Sequence, residues 1–223
     1  MLAHYEIIKD LKVFQKWEHF CFIKIYPIST NLSLVYTGRM KSNDDPWRTL
    51  SSKVTYTNPW MTVYEDTVQM PNGRESIYGF IDGKPGVFII ALDKDSKVHL
   101  IESYRYPTQK WQWELPTGGI DKGFSPLQAA QHELAEELGL SAAKWTHINT
   151  FGPSSNGFMK DTQDVFVAEE LSISDEKPED FEAIRATKKV TFSELTATIS
   201  EGVLINGQSL AALMQFAVWR QLV

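Results

Sequence analysis

The 223-residue chain predicts a fold of the α/β (α+β) class, in which strands and helices both carry the core. Three observations support this. Between residues 53 and 104, runs rich in Val, Thr, Tyr and Ile alternate with turn formers such as Asn58-Pro59, Pro71-Asn72-Gly73 and Asp82-Gly83. Residues 125–139 carry start and stop signals of one helix, and the apolar run Val165 to Ala168 and the stretch Gln208 to Leu222 add a late strand and a terminal helix.

Bulk properties exclude several classes of function. With 43% hydrophobic and 22% charged residues, the chain has the composition of an ordinary globular protein. A net charge of -6 argues against binding a nucleic-acid backbone, so an anionic substrate needs local cations. The single cysteine, Cys21, permits no internal disulfide and no cysteine metal site, and reads as a small buried hydrophobe. No secretory signal opens the chain, and Lys24 and Pro27 interrupt the best apolar run, so no membrane partner is expected and the localisation reads as cytoplasmic.

Residues 1–45 read as a poorly specified extension. Ile7, Leu11, Phe14 and Trp17 are candidates for a helical stripe and Phe20 to Tyr26 for a strand, and Met40 stands just before the polar cluster KSNDDP as an alternative start of the chain. Strands are then expected at Lys53 to Thr57, Met61 to Met70 and Arg74 to Ile81, the last two forming a hairpin, with Asp82-Gly83 as the next turn. Val87 to Leu92 and Val98 to Tyr104 follow, the first apolar enough to be central. Beyond the helix, Trp145 to Thr150 and Val165 to Ala168 read as strands, Leu171 to Asp180 as an acidic loop, and Phe181 to Phe192 as a segment containing a strand. A short helix at Ser193-Glu194-Leu195 and the terminal helix after Asn206-Gly207, with Leu210, Leu213, Ala217 and Leu222 for packing, complete the chain.

Chemistry concentrates at Thr117 to Leu140, TGGIDKGFSPLQAAQHELAEELGL. Ser125 as N-cap, Pro126 at the first helical position and Gln128 three residues after the cap form a capping box, and Gly139 supplies the left-handed C-terminal residue. Leu127, Ala130, Leu134 and Leu138 recur on one face, and Glu133, Glu136 and Glu137 share another. Like charges at this spacing repel, so the triad needs open solvent or a cation, and hard divalent cations take carboxylate oxygens. On the triad alone, a solvated acidic face is the better explanation, and it gives way to a metal site once the glycine-rich loop before the helix is added. Arg105, in Tyr104-Arg105-Tyr106-Pro107, is either a surface residue at a strand end or a forked phosphate ligand. Trp111 and Trp113 are core or rim residues, with base stacking as the alternative.

Counted from Gly118, the stretch resembles the Nudix box: Gly118, Glu133, Leu134, Glu136, Glu137, Gly139 and Leu140 fall on its pattern. Phe124 stands where the pattern has its first Glu, and His132 where it has Arg. Together with NPWMTVYEDTV, YRYP and WELPTGG, the chain from Trp47 onward is similar to the ADP-ribose pyrophosphatase-like branch of the Nudix hydrolases.

The resemblance implies a Nudix-type α/β/α sandwich with a mixed sheet over 85–223, and a small antiparallel strand subdomain over 46–84 that helps form a homodimer. It implies a metal site of Gly118, Glu133, Glu136 and Glu137 for Mg²⁺, with Mn²⁺ as the alternative, and a role for His132 in orienting Glu133. Arg105 falls on a diphosphate-contacting position and Glu114 on an acidic position near the site. Glu136, Glu137 and the loop residue Asp161 are the candidate proton acceptors, with Asp164 and Glu182 as further acidic contributors. The implied reaction is hydrolysis of a nucleoside diphosphate derivative, ADP-ribose to AMP and ribose 5-phosphate. Another nucleotide sugar such as GDP-mannose, a dinucleotide, and a non-catalytic nucleotide-sugar-binding module remain as alternatives.

Overall fold

Strand pairing carries the N-terminal sheet beyond the limits that local residue preference sets. The computed structural model describes residues 45–153, 157–175, 183–201 and 206–222. The readings of a helix and a strand within residues 1–44, and of Glu182, fall outside these residues. Strand β1 (Arg48–Thr57) starts five residues before the expected Lys53 because it pairs along the whole of β2 (Met61–Gln69), Arg48 lying opposite Gln69. The Asn58 side chain accepts the N–H groups of Trp60 and Met61, both at 2.9 Å, and closes the corner between them. Gly73, at φ +81°, makes the turn into β3 (Glu75–Gly83). Asp82 and Gly83, expected as a turn, pair with Thr62 and Met61, so the hairpin runs two residues longer and the chain turns at Lys84-Pro85.

The central sheet begins with β4 (Gly86–Ala91), buried at every position. Its parallel neighbour is β10 (Gln163–Ile173), which pairs in turn with the antiparallel β8 (Leu140–Phe151). The short β7 (Thr117–Gly119) closes the other side, giving the order β7-β4-β10-β8. Alternation along β4 divides the core in two. Val87, Ile89 and Ala91, with Phe166 and Ala168, meet Ala129, Ala130 and Leu134 of α1 (Pro126–Leu138). Phe88, Ile90, Val165 and Val167 face the opposite way, onto Leu100 of β5 (Val98–Arg105), Leu195 of α2 (Phe192–Ser200) and Leu213 and Phe216 of α3 (Gly207–Trp219). In a third sheet, β5 lies between β6 (Lys110–Glu114) and β11 (Ile184–Val190).

Three expectations change here. Leu127 is exposed, and the buried stripe of α1 is Ala129, Ala130, Leu134 and Ala135, since the helix meets the sheet one residue further round than the leucine pattern indicates. Leu171 to Ile173, expected in a loop, extend β10, because β8 starts at Leu140 directly after the helix cap and Ala142, Ser141 and Leu140 take them as partners. Leu222 stays exposed beyond the end of α3. A strand β9 (Met159–Lys160) that local preference does not mark joins β3 in parallel through Ile81 and Asp82.

Candidate active site

The box helix forms as its caps dictate. Ser125 and Gln128 bond reciprocally, and Gly139 adopts φ 63° with its N–H on the Ala135 and Leu134 carbonyls. One helical turn therefore separates Glu133 from Glu137, and both meet β7, the short strand before the helix. The Glu137 carboxylate, largely buried, accepts the Thr117 N–H at 2.8 Å. Glu133 lies against Gly118 so closely that any Cβ there would collide with its carboxylate, which is the physical reason for glycine at that position. Thr117 is itself fixed by its hydroxyl, which donates to the Val87 carbonyl at 2.8 Å.

His132 reaches a different carboxylate from the one expected. Its Nδ1 stands 2.8 Å from Glu136 Oε2, one turn on, with the Phe124 ring 6.1 Å from the imidazole. The two departures from the box pattern thus lie side by side, and the i,i+4 geometry of the helix directs His132 to Glu136. On the loop before the helix, Asp121 pairs with Lys84 at 2.5 Å, and this hydrogen bond holds the Asp121 carboxyl below the usual carboxylate range.

Arg105 ends β5 opposite Lys110 and Glu114 ends β6 opposite Ile101, and the long arginine side chain crosses between them to form a forked pair with Nη2–Oε1 at 2.6 Å and Nε–Oε2 at 3.1 Å. Glu114 is fully buried and Arg105 partly exposed, so the carboxylate aims the guanidinium. Trp111 and Trp113 carry Arg185 and Lys188 over their rings at 4.4 and 4.1 Å, so a cation covers one face of each indole.

Asp161 sits just before β10, where Gln163 Nε2 donates to its Oδ2 at 2.9 Å. Gly86 pairs with Gly119 on one side and Gln163 on the other, so the Asp161 segment and the box turn flank the same end of β4. Asp164, one position on from Gln163, is engaged with His147 at 2.8 Å and Thr150 at 2.5 Å of β8.

Arg105, Lys84, the β7 residues Thr117 to Gly119, Gln163 and Gln208 line an open cleft of about 390 Å³. Lys84, Gln163 and Gln208 escaped sequence reasoning. The only signal for Lys84 is its place beside a turn, and for the glutamines there is none, since a neutral side chain discloses its site only through folding. A larger cavity of about 660 Å³, lined by His99, Lys144 and Glu169 among others, lies at the far ends of β4 and β10 and takes in Leu140 but none of the box carboxylates.

Glu133, Glu136, Glu137 and the Gly118 carbonyl offer only oxygen donors, a set that fits a hard divalent cation. Two of the carboxylates meet the box turn, while Glu136 is engaged by His132. Among the described residues, no three His, Cys, Asp or Glu side chains form a closed metal-holding group as they stand.

Residues 47–81 match the nucleoside diphosphate sugar hydrolase N-terminal domain, and residues 83–212 match the NUDIX domain. An ADP-ribose pyrophosphatase of Bacillus subtilis (strain 168) is 32% identical over 140 residues, 63% of this chain and 74% of that protein. The Mycobacterium tuberculosis (strain ATCC 25618 / H37Rv) ADP-ribose pyrophosphatase is 25% identical over 170 residues, 75% of this chain and 82% of that protein. A crystal structure of an ADP compounds hydrolase superposes with a TM-score of 0.69 at 20% identity, covering 78% of this chain and 94% of that one, which agrees with the α+β fold. With the NUDIX match spanning more than half of its length and a box turn and helix in place, the chain belongs to the Nudix family and is a Nudix pyrophosphohydrolase.

Proposed function

We propose that the protein hydrolyses the diphosphate linkage of a nucleoside diphosphate derivative, ADP-ribose in the first place, to AMP and ribose 5-phosphate, with Mg²⁺ as cofactor. The observation that carries this reading is the cleft where Arg105 and Lys84 share a lining with Thr117 to Gly119, the segment that Glu137 and Glu133 contact. A diphosphate fits between the two kinds of charge. Arg105, held in its fork by Glu114, binds phosphoryl oxygens and orients the bridge. Glu133, Glu136 and Glu137, with the Gly118 carbonyl, are the groups that would hold the cation, which supplies charge neutralisation and lowers the pKa of a bound water. Asp161, on the other side of β4 from the box turn, takes the proton of the attacking water. The ADP-ribose pyrophosphatases among its relatives favour ADP-ribose over GDP-mannose or a dinucleotide. The same reading makes 46–84 a dimerising subdomain and 85–223 the hydrolase domain.

The test is product formation from a panel of ADP-ribose, GDP-mannose and dinucleotides, with and without Mg²⁺, for the protein and for Glu137→Gln. ADP-ribose should be cleaved fastest and only with the cation. Glu137→Gln should lose turnover by about two orders of magnitude, the scale for a displaced catalytic group, while its melting temperature changes little. Metal-independent cleavage, or a fully active Glu137→Gln, would sink the assignment. Tight binding of ADP-ribose without turnover would select the non-catalytic module.

A further inference from the structure

Gln163 is 7% exposed and opens β10, where a hydrophobic residue would suit the buried strand better than an amide. Both ends of that amide meet specific neighbours. Its Nε2 donates to Asp161 Oδ2 at 2.9 Å. Its Oε1 lies over Gly86, where a Cβ on residue 86 would collide with it, so the space for the amide is made by a missing side chain.

The main chain around Asp161 is tied on both sides. Ile81 N–H bonds the Phe158 carbonyl at 2.7 Å, Lys160 Nζ bonds Asp82 Oδ2 at 2.8 Å, and Gly86 N–H bonds the Thr162 carbonyl at 2.8 Å. These bonds set where the Cα of Asp161 sits but leave the rotation of its carboxylate to side-chain partners. An amide donor orients a carboxylate without bringing a further charge into the cavity. Gln163 itself lines that cavity beside Arg105 and Gly118.

We propose that Gln163 is a positioning residue for the hydrolysis: wedged against Gly86, it holds the Asp161 carboxylate toward the cavity at the box turn. The proposal rests on Asp161 as the proton acceptor, and the experiment separates the two. Turnover of ADP-ribose with Mg²⁺ is measured for Gln163→Met, Asp161→Ala and the double variant. Met keeps the length and bulk of Gln and removes the donor. Gln163→Met should lower kcat by about 10- to 100-fold, the scale for a group displaced by about 1 Å, with KM within about twofold. In the Asp161→Ala background the same substitution should change kcat by less than about twofold, because a residue acting only through Asp161 has nothing left to position.

A second measurement needs no substitution at Gln163 and no metal. The side-chain amide resonances of Gln163 should shift in metal-free Asp161→Ala relative to the parent protein, and unchanged resonances would overturn the proposal. Full turnover by Asp161→Ala removes Asp161 as acceptor and the proposal with it. A slow Asp161→Ala beside a normal Gln163→Met, or losses that multiply in the double variant, overturns the role of Gln163 alone. If Gln163→Met fails to fold, Gln163→Asn, which keeps the amide but retracts it by one methylene, is held to the same kcat and KM criteria.

Discussion

At the scale of single residues, the site is a set of carboxylates each assigned a different partner by its surroundings. Glu137 faces a backbone N–H, Glu136 a histidine, Glu114 a guanidinium and Asp161 an amide. The Arg105–Glu114 pair has the sharpest consequence. Glu114 is wholly buried, so removing Arg105 leaves a buried carboxylate without its counterion, a destabilising change. Arg105→Met should therefore lower the melting temperature as well as raise KM for ADP-ribose. Replacing both residues, Arg105→Met with Glu114→Leu, removes the stranded charge, and the melting temperature should recover while KM stays high. Calorimetry and steady-state kinetics on the single and double variants check this, and an unchanged KM in Arg105→Met would remove Arg105 from substrate binding.

At the scale of elements, the box is a turn and a helix made to fit each other. The helix has no acidic residue in its first turn and no basic residue in its last, so its charges do little for its own stability. Its order comes from the Ser125 capping box, the Gly139 cap and the packing of Ala129, Ala130 and Leu134 on β4 and β10. The acidic face can then be given to chemistry. Gly118 is where turn and helix touch, and Gly118→Ala should push the Glu133 carboxylate out of place. Turnover should fall by about 100-fold, as for a group misplaced by about 1 Å, with a loss of about 1–3 kcal/mol in stability from overpacking. Kinetics near those of the parent protein would show that Glu133 has room elsewhere and does not need its observed position.

At the scale of the whole molecule, apolar surface is distributed unevenly. Every residue of β1 is exposed, and Val54, Tyr56, Trp60, Ile77 and Tyr78 are exposed on the β1 to β3 sheet. Trp60 is 69% and Ile77 70% exposed. Exposed apolar side chains and a strand that ends its sheet among the described residues are commonly covered in stable proteins. A second copy of the chain would cover them, and β9 would then tie that interface to the segment bearing Asp161, since it pairs with β3 through Met159 and Lys160, immediately before that side chain. Sedimentation at micromolar concentration should give twice the mass of the chain, and Ile77→Lys with Trp60→Lys should halve it. A monomer mass for the parent protein would refute the dimer.

What the sequence determined by itself is the local part of the structure. The capping signals placed α1 at Pro126–Leu138 to the residue, and the spacing of Glu133, Glu136 and Glu137 put them on neighbouring positions of one helix, because caps and helical periodicity depend on residues within a few positions of each other. The turn at Gly73 and the buried β4 were legible for the same reason. Only the tertiary structure decided which carboxylate His132 meets, that Glu114 fixes Arg105, that Asp161 rests on Gln163, and that Lys84 and Gln208 line the cavity. It also decided the lengths of β1, β8 and β10, since a strand extends as far as its partner offers hydrogen bonds, whatever its own residues prefer. These contacts join residues distant in the chain, and side chains that meet only after folding leave no periodic mark by which to find them.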